Sequence, residues 1–317
     1  MNTASLSSSK PKDHFLLALG YALFNAVMLS GMSLFAKLLA GYFGGIEVTF
    51  FRNCFSFLAL VAWVVFTRAW EVPKTSRPWA HLLRASIGTI GIVLGNFALS
   101  MMPLTETTIL LFTAPLFVVL LSYPVLREPV GIFRLGAVLI GFVGVVIVAR
   151  SANSADTVHS IPPLGLLLGL GWGFFAGCVD ICLRWMGRTE KSTTTTFYFL
   201  LFGTLTTALH WPFAHIKQSP LNFEALAIII GLGLTGLLAQ LSKSQSLRLG
   251  EAAIISPVMY TMIIWTALFD YFIWDHAPRP GTILGGGLII GANIFILYRE
   301  HVKAKLHTPG KRDKMDA

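Results

Sequence analysis

Residues 106–126 read Glu106-Thr-Thr-Ile-Leu-Leu-Phe-Thr-Ala-Pro115-Leu-Phe-Val-Val-Leu-Leu-Ser-Tyr-Pro-Val-Leu126. The run is continuously apolar rather than alternating, and about 20 such residues in a helix cross the hydrocarbon core of a bilayer. Lipid offers the backbone no hydrogen bonds, so only helices or closed barrels cross it; the lack of alternation selects a helix. Nine similar runs flank this one. The predicted spans are 15–39, 47–67, 80–101, 106–126, 132–149, 162–184, 194–211, 223–242, 252–273 and 281–298. The first is read as a retained anchor, being too long for a signal peptide and followed by no small-residue cleavage site.

Composition excludes the competing classes. Of 317 residues, 55% are apolar and 12% charged, against about 25% charged in a soluble domain. A soluble globule, a disordered chain and a coiled coil are thereby ruled out. The net charge of +9 does not point to nucleic acid, because the basic residues lie between apolar runs rather than along a stripe. Cys54, Cys178 and Cys182 sit inside such runs, which leaves no disulfide framework. With the N-terminus inside, eighteen of the 24 Lys and Arg fall in cytoplasmic segments and three (Arg150, Lys217, Arg279) outside. The positive-inside rule therefore puts both termini in the cytoplasm.

The opening stretch has an echo. Glu251-Ala-Ala-Ile-Ile begins the ninth span as Glu106-Thr-Thr-Ile-Leu begins the fourth, and the glycine pairs Gly136/Gly141 and Gly286/Gly291 follow at matching distances. Gly31…Lys37 in span 1 likewise parallels Gly177…Arg184 in span 6. Five spans per copy is an odd number, so the second copy enters the membrane from the opposite side. The expected fold is an all-α membrane protein of ten transmembrane helices in two inverted five-helix repeats, 15–150 and 162–300. Tails 1–14 and 301–317 flank them. Pro115 and Pro257 interrupt matching spans, and each removes a helical hydrogen bond. Alone, either reads as a packing kink; as a pair they point to a midplane solute site.

Charged groups inside spans are costly and usually line a cavity or pair. Arg52 lies five residues after Glu47, on a different helical face, and either meets a ligand or snorkels outward. Arg84 is either a positive-inside anchor or a gate. Asp180 and Arg184, four apart, form a neutralising pair, with a proton-carrying role for Asp180 or Glu106 the weaker alternative. Glu106, Glu251 and Asp270 are either gate partners for Lys37 and the basic loops or exposed end charges of little consequence. Uncharged candidates are Asn25, Asn96, Tyr198, Gln240, Tyr260 and Asn293. Tyr260 falls one turn after Pro257, and Trp172 lies midway down a helix whose Gly165, Gly169, Gly173 and Gly177 form a close-packing row.

Gly231-Leu-Gly233-Leu-Thr-Gly236 matches a dinucleotide fingerprint only literally, lacking the preceding strand and following acid. Cys178 and Cys182 have no further ligands at zinc spacing. No metal site or cofactor is expected, and no buried histidine or nucleophile constellation argues for an enzyme.

Glu47-Val-Thr-Phe-Phe-Arg52, the stretch from Arg84 to Pro103 with Asn96-Phe-Ala-Leu, Pro115-Leu-Phe and Glu128 are similar to the drug/metabolite transporter superfamily, EamA type. Thr75-Ser-Arg-Pro-Trp-Ala-His-Leu-Leu-Arg84 and Pro257-Val-Met-Tyr260 most resemble its carriers that bring S-adenosylmethionine into bacteria. Asp275-His276 departs from the family's glutamate-proline after span 9. The resemblance implies alternating access around a central cavity lined by spans 1, 3, 4, 6, 8 and 9. Arg52, Asn96, Trp172, Tyr198 and Tyr260 are expected to face it, Arg52 meeting a carboxylate and the aromatics a ring or sulfonium. The implied partners are a small solute and the lipid of a bacterial inner membrane, with a homodimer left open. Export of amino acids or drugs, and a structural role in a membrane complex, stay open as alternatives.

Overall fold

The computed structural model describes residues 11–127, 131–152, 161–186, 190, 192–210, 222–249 and 256–306. Among them every regular element is helical. The helices are α1 (Pro11–Leu39), α2 (Gly45–Thr67), α3 (Pro78–Met101), α4 (Leu104–Leu111), α5 (Ala114–Leu121), α6 (Ile132–Ala152) and α7 (Pro163–Met186). They continue as α8 (Ser192–Ala208), α9 (Phe223–Leu249), α10 (Met262–Trp274) and α11 (Pro280–Leu306). A π-turn (Ser122–Leu126) follows α5, and a 3-10 segment (Ser256–Thr261) leads into α10.

Local chemistry sets the ends. Helices α3, α7 and α11 open on Pro78, Pro163 and Pro280, where the missing N–H would have had no intrahelical partner. Helices α2 and α10 stop at Arg68 and Asp275, which take left-handed backbone conformations (φ 52° and 51°). Each cap N–H returns to carbonyls of the last turn, satisfying groups the helix leaves orphaned.

Nine segments of the described residues are long and apolar enough to cross a membrane. Span 7, expected at 194–211, is α8, 17 residues long. The largest boundary differences are at α9 and α11, which run on to Leu249 and Leu306 rather than ending near 242 and 298. Hydropathy ends where the sequence turns polar, but intrahelical hydrogen bonds persist into water. Glu251, Glu128 and the start of span 9 lie outside the described residues.

The bundle is built from four intimate pairs: α1 with α9, α3 with α7, α6 with α11, and α2 with α8. Helix α9 also packs on α2, α8 on α3, the α4–α5 segment on α7, and α10 on α1. Small residues permit the closest approaches. A Cβ on Gly144 would lie 2.5 Å from the Gly285 carbonyl oxygen, so α6 and α11 touch backbone to backbone. Gly136 and Gly291, glycines of the repeat's matching runs, face open space. The glycine row of α7 packs on the α3 end and the α4–α5 segment: a Cβ on Gly165 would meet Met102 Cγ at 2.9 Å, on Gly169 Leu110 Cδ1 at 2.7 Å, and on Gly177 the Ala114 carbonyl at 2.9 Å. Glycines 231, 233 and 236 pack on Phe35, Phe55 and Ser56, a helix-packing role that disposes of the nucleotide motif.

Large apolar side chains such as Phe66, Leu139, Leu167 and Ile283 point outward and are well exposed. In water such a surface would drive aggregation; in lipid it is solvated. The protein is a multi-pass membrane protein.

Candidate functional site

Span 4 is broken where its proline predicts. Helix α4 ends at Leu111, and α5 begins at Ala114 with Pro115 in its first turn. The Pro115 ring has no N–H to donate back along the helix. Around the break the Leu116 N–H shortens its reach to Thr113 O (2.9 Å). The Phe112 carbonyl instead accepts from Asn293 Nδ2 of α11 at 2.7 Å. A Cβ on Gly173 would run into Thr113 Oγ1 and lie 2.7 Å from the Leu110 carbonyl, so only glycine lets α7 sit against the opened turn. Pro257 lies in the 3-10 segment before α10.

Beside the break is a cavity of about 280 Å3, walled by α1, α2, α3, α4, α7, α8 and α9. Spans 1, 3, 4, 6 and 8 were expected there. Among the described residues span 9 is absent from the wall, and spans 2 and 7 enter it through Arg52 and Phe199. Arg52, Asn96 and Trp172 all line it, together with Arg84 and Asp180. The Trp172 ring lies on Gly95, where a Cβ would be 2.7 Å from Cε2. Asn96 Nδ2 donates to Thr49 Oγ1 at 2.9 Å, which ties α3 to α2. Arg84 does not snorkel to a surface as an anchor would. Its guanidinium carbon lies 4.2 Å from the Phe199 ring centroid, and its Nε and Nη1 are sealed from solvent without a hydrogen-bond partner. Asp180, Gln240 and Lys243 are exposed at this end of the cavity. The Arg184 side chain lies outside the described residues, so the expected Asp180–Arg184 pair does too. A side lobe of about 70 Å3 shares Arg52, Phe199 and Gln240.

The predicted end of span 8 at 242 places Lys243 among the cytoplasmic charges, but it lines the cavity. The stripe Gly236, Ala239, Gln240, Lys243 follows the helical i, i+3, i+4, i+7 rule, a signal that would have placed it on the wall. A larger groove of about 560 Å3 on the flank of α4, α10 and α11 is aliphatic apart from Thr105, Tyr271 and Thr282. Thr105 and Thr282 are already hydrogen-bonded to carboxylates.

The opposite end of the bundle is closed by charge. Asp270, buried on α10, accepts from the backbone N–H groups of Leu104 (3.0 Å) and Thr105 (2.8 Å) and from Thr105 Oγ1 (2.8 Å). It therefore sits on the positive N-terminus of α4. Lys37 Nζ is 3.6 Å from the same carboxylate, donates to the Met102 carbonyl at 2.9 Å and lies 4.6 Å from the Trp274 ring centroid. Glu106 accepts from Thr282 Oγ1 at 3.2 Å and faces His276 Nε2 at 3.7 Å. Glu106 and Asp270 are each only 1% exposed, which sets aside the exposed-end-charge alternative; Asp270 takes the other, as a partner of Lys37. The Glu106 carboxylate raises the His276 pKa above its ordinary value, against partial burial and Arg279, which lower it.

Tyr198 and Tyr260 lie apart from the cavity wall. The Tyr198 hydroxyl donates to the Pro73 carbonyl at 2.7 Å, and its ring stacks on His81 at 4.8 Å. There Thr75 Oγ1 donates to Glu190, just ahead of α8, at 3.0 Å, a second clip beside the one Tyr198 makes from α8 to the 68–77 connection. Tyr260 packs edge-on against Phe112 at 4.9 Å, behind the break in span 4. Tyr260 stands out in sequence for lying one turn after Pro257 and Tyr198 as an uncharged polar group within a span, and neither signal reveals the facing direction.

The chain is similar in sequence to known transport proteins. The S-adenosylmethionine uptake transporter of Rickettsia bellii is 29% identical over 285 residues, covering 90% of this chain and 94% of its own. The riboflavin transporter of Brucella anthropi is 25% identical over 230 residues, 72% of this chain and 79% of its own. Solute carrier family 35 member G1 of Homo sapiens is 22% identical over 287 residues, 88% and 78%. A solved crystal structure shares the fold with a TM-score of 0.60 at 16% identity, over 94% of this chain and 99% of that one. The model of the EamA-like transporter family matches residues 16–150 and 163–298, nearly the whole span-bearing length, and the chain belongs to that family.

Proposed function

We propose that this protein is a secondary transporter that moves a small amphipathic metabolite by alternating access, with S-adenosylmethionine as the first solute to test. The observation that carries the reading is the meeting of Arg52, Asn96 and Trp172 on one cavity beside a broken helix. A guanidinium and a large aromatic face on one wall suit a solute with a carboxylate and a flat ring. The names of the Rickettsia and Brucella relatives, S-adenosylmethionine and riboflavin transporters, agree with a ring-bearing cargo.

The packing supports two inverted five-helix copies, 15–150 and 162–300. Exchanging each span for its counterpart turns the α1–α9 pair into α7–α3 and the α9–α2 pair into α3–α8, and leaves α6–α11 and α2–α8 unchanged; all are observed. Both termini face the cytoplasm of a bacterial inner membrane, on the basic-residue distribution. The Lys37–Asp270 end then faces outward and is shut, while the cavity end carrying Lys243 faces inward.

Radiolabelled S-adenosylmethionine is to be offered to proteoliposomes with and without a pH gradient. Saturable flux is expected. Correctly inserted protein that gives no saturable flux of S-adenosylmethionine, riboflavin or amino acids would remove the reading and leave a structural subunit.

A further inference from the structure

The cavity holds more positive charge than one carboxylate needs. Among the described residues Arg52, Arg84 and Lys243 stand on its wall against one carboxylate, that of Asp180. Among the described residues neither guanidinium is ion-paired. Arg84 is held over Phe199, with two of its nitrogens sealed from water and unbonded. Desolvating a guanidinium without an acceptor is costly, and a second cation on the same cavity wall adds repulsion. An anion entering the cavity relieves both at once, because guanidinium binds planar or tetrahedral oxyanions with paired hydrogen bonds. The Phe199 ring presets the Arg84 plane, so little side-chain entropy is lost on binding.

We infer that Arg52 and Arg84 form a double-anion site, so that the cargo class extends to ring-bearing metabolites with a phosphoryl group or two carboxylates at the polar end. The inference rests on the reading of this cavity as the solute site, with Trp172 taking the ring. S-adenosylmethionine offers one carboxylate against two positive centres of its own and uses half of the site. A solute with two negative charges uses all of it.

The test is a matched pair that differs only in the phosphoryl group, adenosine and adenosine 5′-monophosphate. Binding to the purified wild-type protein in uncharged detergent is measured by calorimetry and by thermal shift, independently of transport. The monophosphate is expected to bind about tenfold or more tightly than adenosine, the yield of a charged hydrogen-bonded pair. Arg84→Gln is expected to bring the two within about twofold, and Arg84→Lys to retain part of the difference. Equal binding of the pair by wild type overturns the inference without recourse to a variant. So does a preference that survives Arg84→Gln in protein that stays monodisperse, since the phosphoryl group is then held elsewhere. Inorganic phosphate and anionic-lipid vesicles are run alongside. Protection by the vesicles but not by phosphate or the monophosphate reassigns the arginines to lipid headgroups and also overturns it. Failure of S-adenosylmethionine flux with the binding preference intact would sink the transport reading alone.

Discussion

Asp270 on α10 bonds the first two backbone N–H groups of α4 and lies 3.6 Å from Lys37 of α1, so one carboxylate holds three separate segments together. Removing one partner of a buried pair costs about 3–5 kcal/mol. Asp270→Asn is therefore expected to lower the thermal midpoint sharply, and Lys37→Met in the same chain to recover part of the loss. A double-mutant cycle on thermal unfolding in detergent checks this; strictly additive single effects would mean that the pair is not coupled.

The His276–Glu106 contact makes the same end sensitive to pH. A histidine with a raised folded pKa contributes stability that is complete below its ordinary value, 6.5. The contribution fades as pH rises through the raised value. Glu106 and Asp270 favour the imidazolium, and Arg279 opposes it. Labelling of a cysteine placed at Thr105 is expected to be slow at acid pH and faster above that transition. His276→Gln is expected to flatten the profile; an unchanged profile in that variant would place the titrating group elsewhere.

Arg52→Ala is expected to lower kcat/KM for uptake by at least about tenfold, with membrane insertion unchanged. Trp172→Ala is expected to raise KM more than it lowers kcat, since stacking acts on the bound solute. Initial-rate kinetics in proteoliposomes distinguish the two, and wild-type kinetics for either variant would take that residue out of the site.

Tyr198 serves as the contrast. Its hydroxyl bonds a loop carbonyl, not the cavity, so Tyr198→Phe is expected to leave KM unchanged and to cost about 0.5–1.5 kcal/mol of stability. A changed KM would bring it back to the solute path.

Glycine substitutions on the α7 row should not behave alike with those elsewhere. Gly173→Ala forces a methyl into Thr113 Oγ1 and the Leu110 carbonyl, and overpacking of this kind costs about 1–3 kcal/mol. Gly136→Ala and Gly291→Ala meet open space and are expected to be neutral or slightly stabilising. Thermal midpoints of the three variants settle the order.

What the sequence disclosed follows from what hydropathy measures. Apolar length located the spans, and prolines marked the broken fourth span, because both are local properties of the chain. Facing direction is not local. Arg52 and Arg84 look alike in sequence to lipid-end anchors, yet α8 brings Phe199 under one of them. Sequence left Asp270 open between a partner of Lys37 and an exposed end charge, because its acceptor role depends on the N-terminus of α4, 165 residues away. Lys243 was misplaced for a different reason: α9 continues past the apolar run that was taken as its end.

At Gly144 and Gly285 the backbones of α6 and α11 meet directly, with Val148 and Ile289 closing in beside them. Elsewhere, interdigitated side chains can change rotamer and let neighbours slide, but two bare main chains have nothing to repack. In the alternating-access reading proposed above, this crossing is where the two halves would pivot. Adding a methyl there would pry the joint apart and loosen the hinge before it touched the cargo.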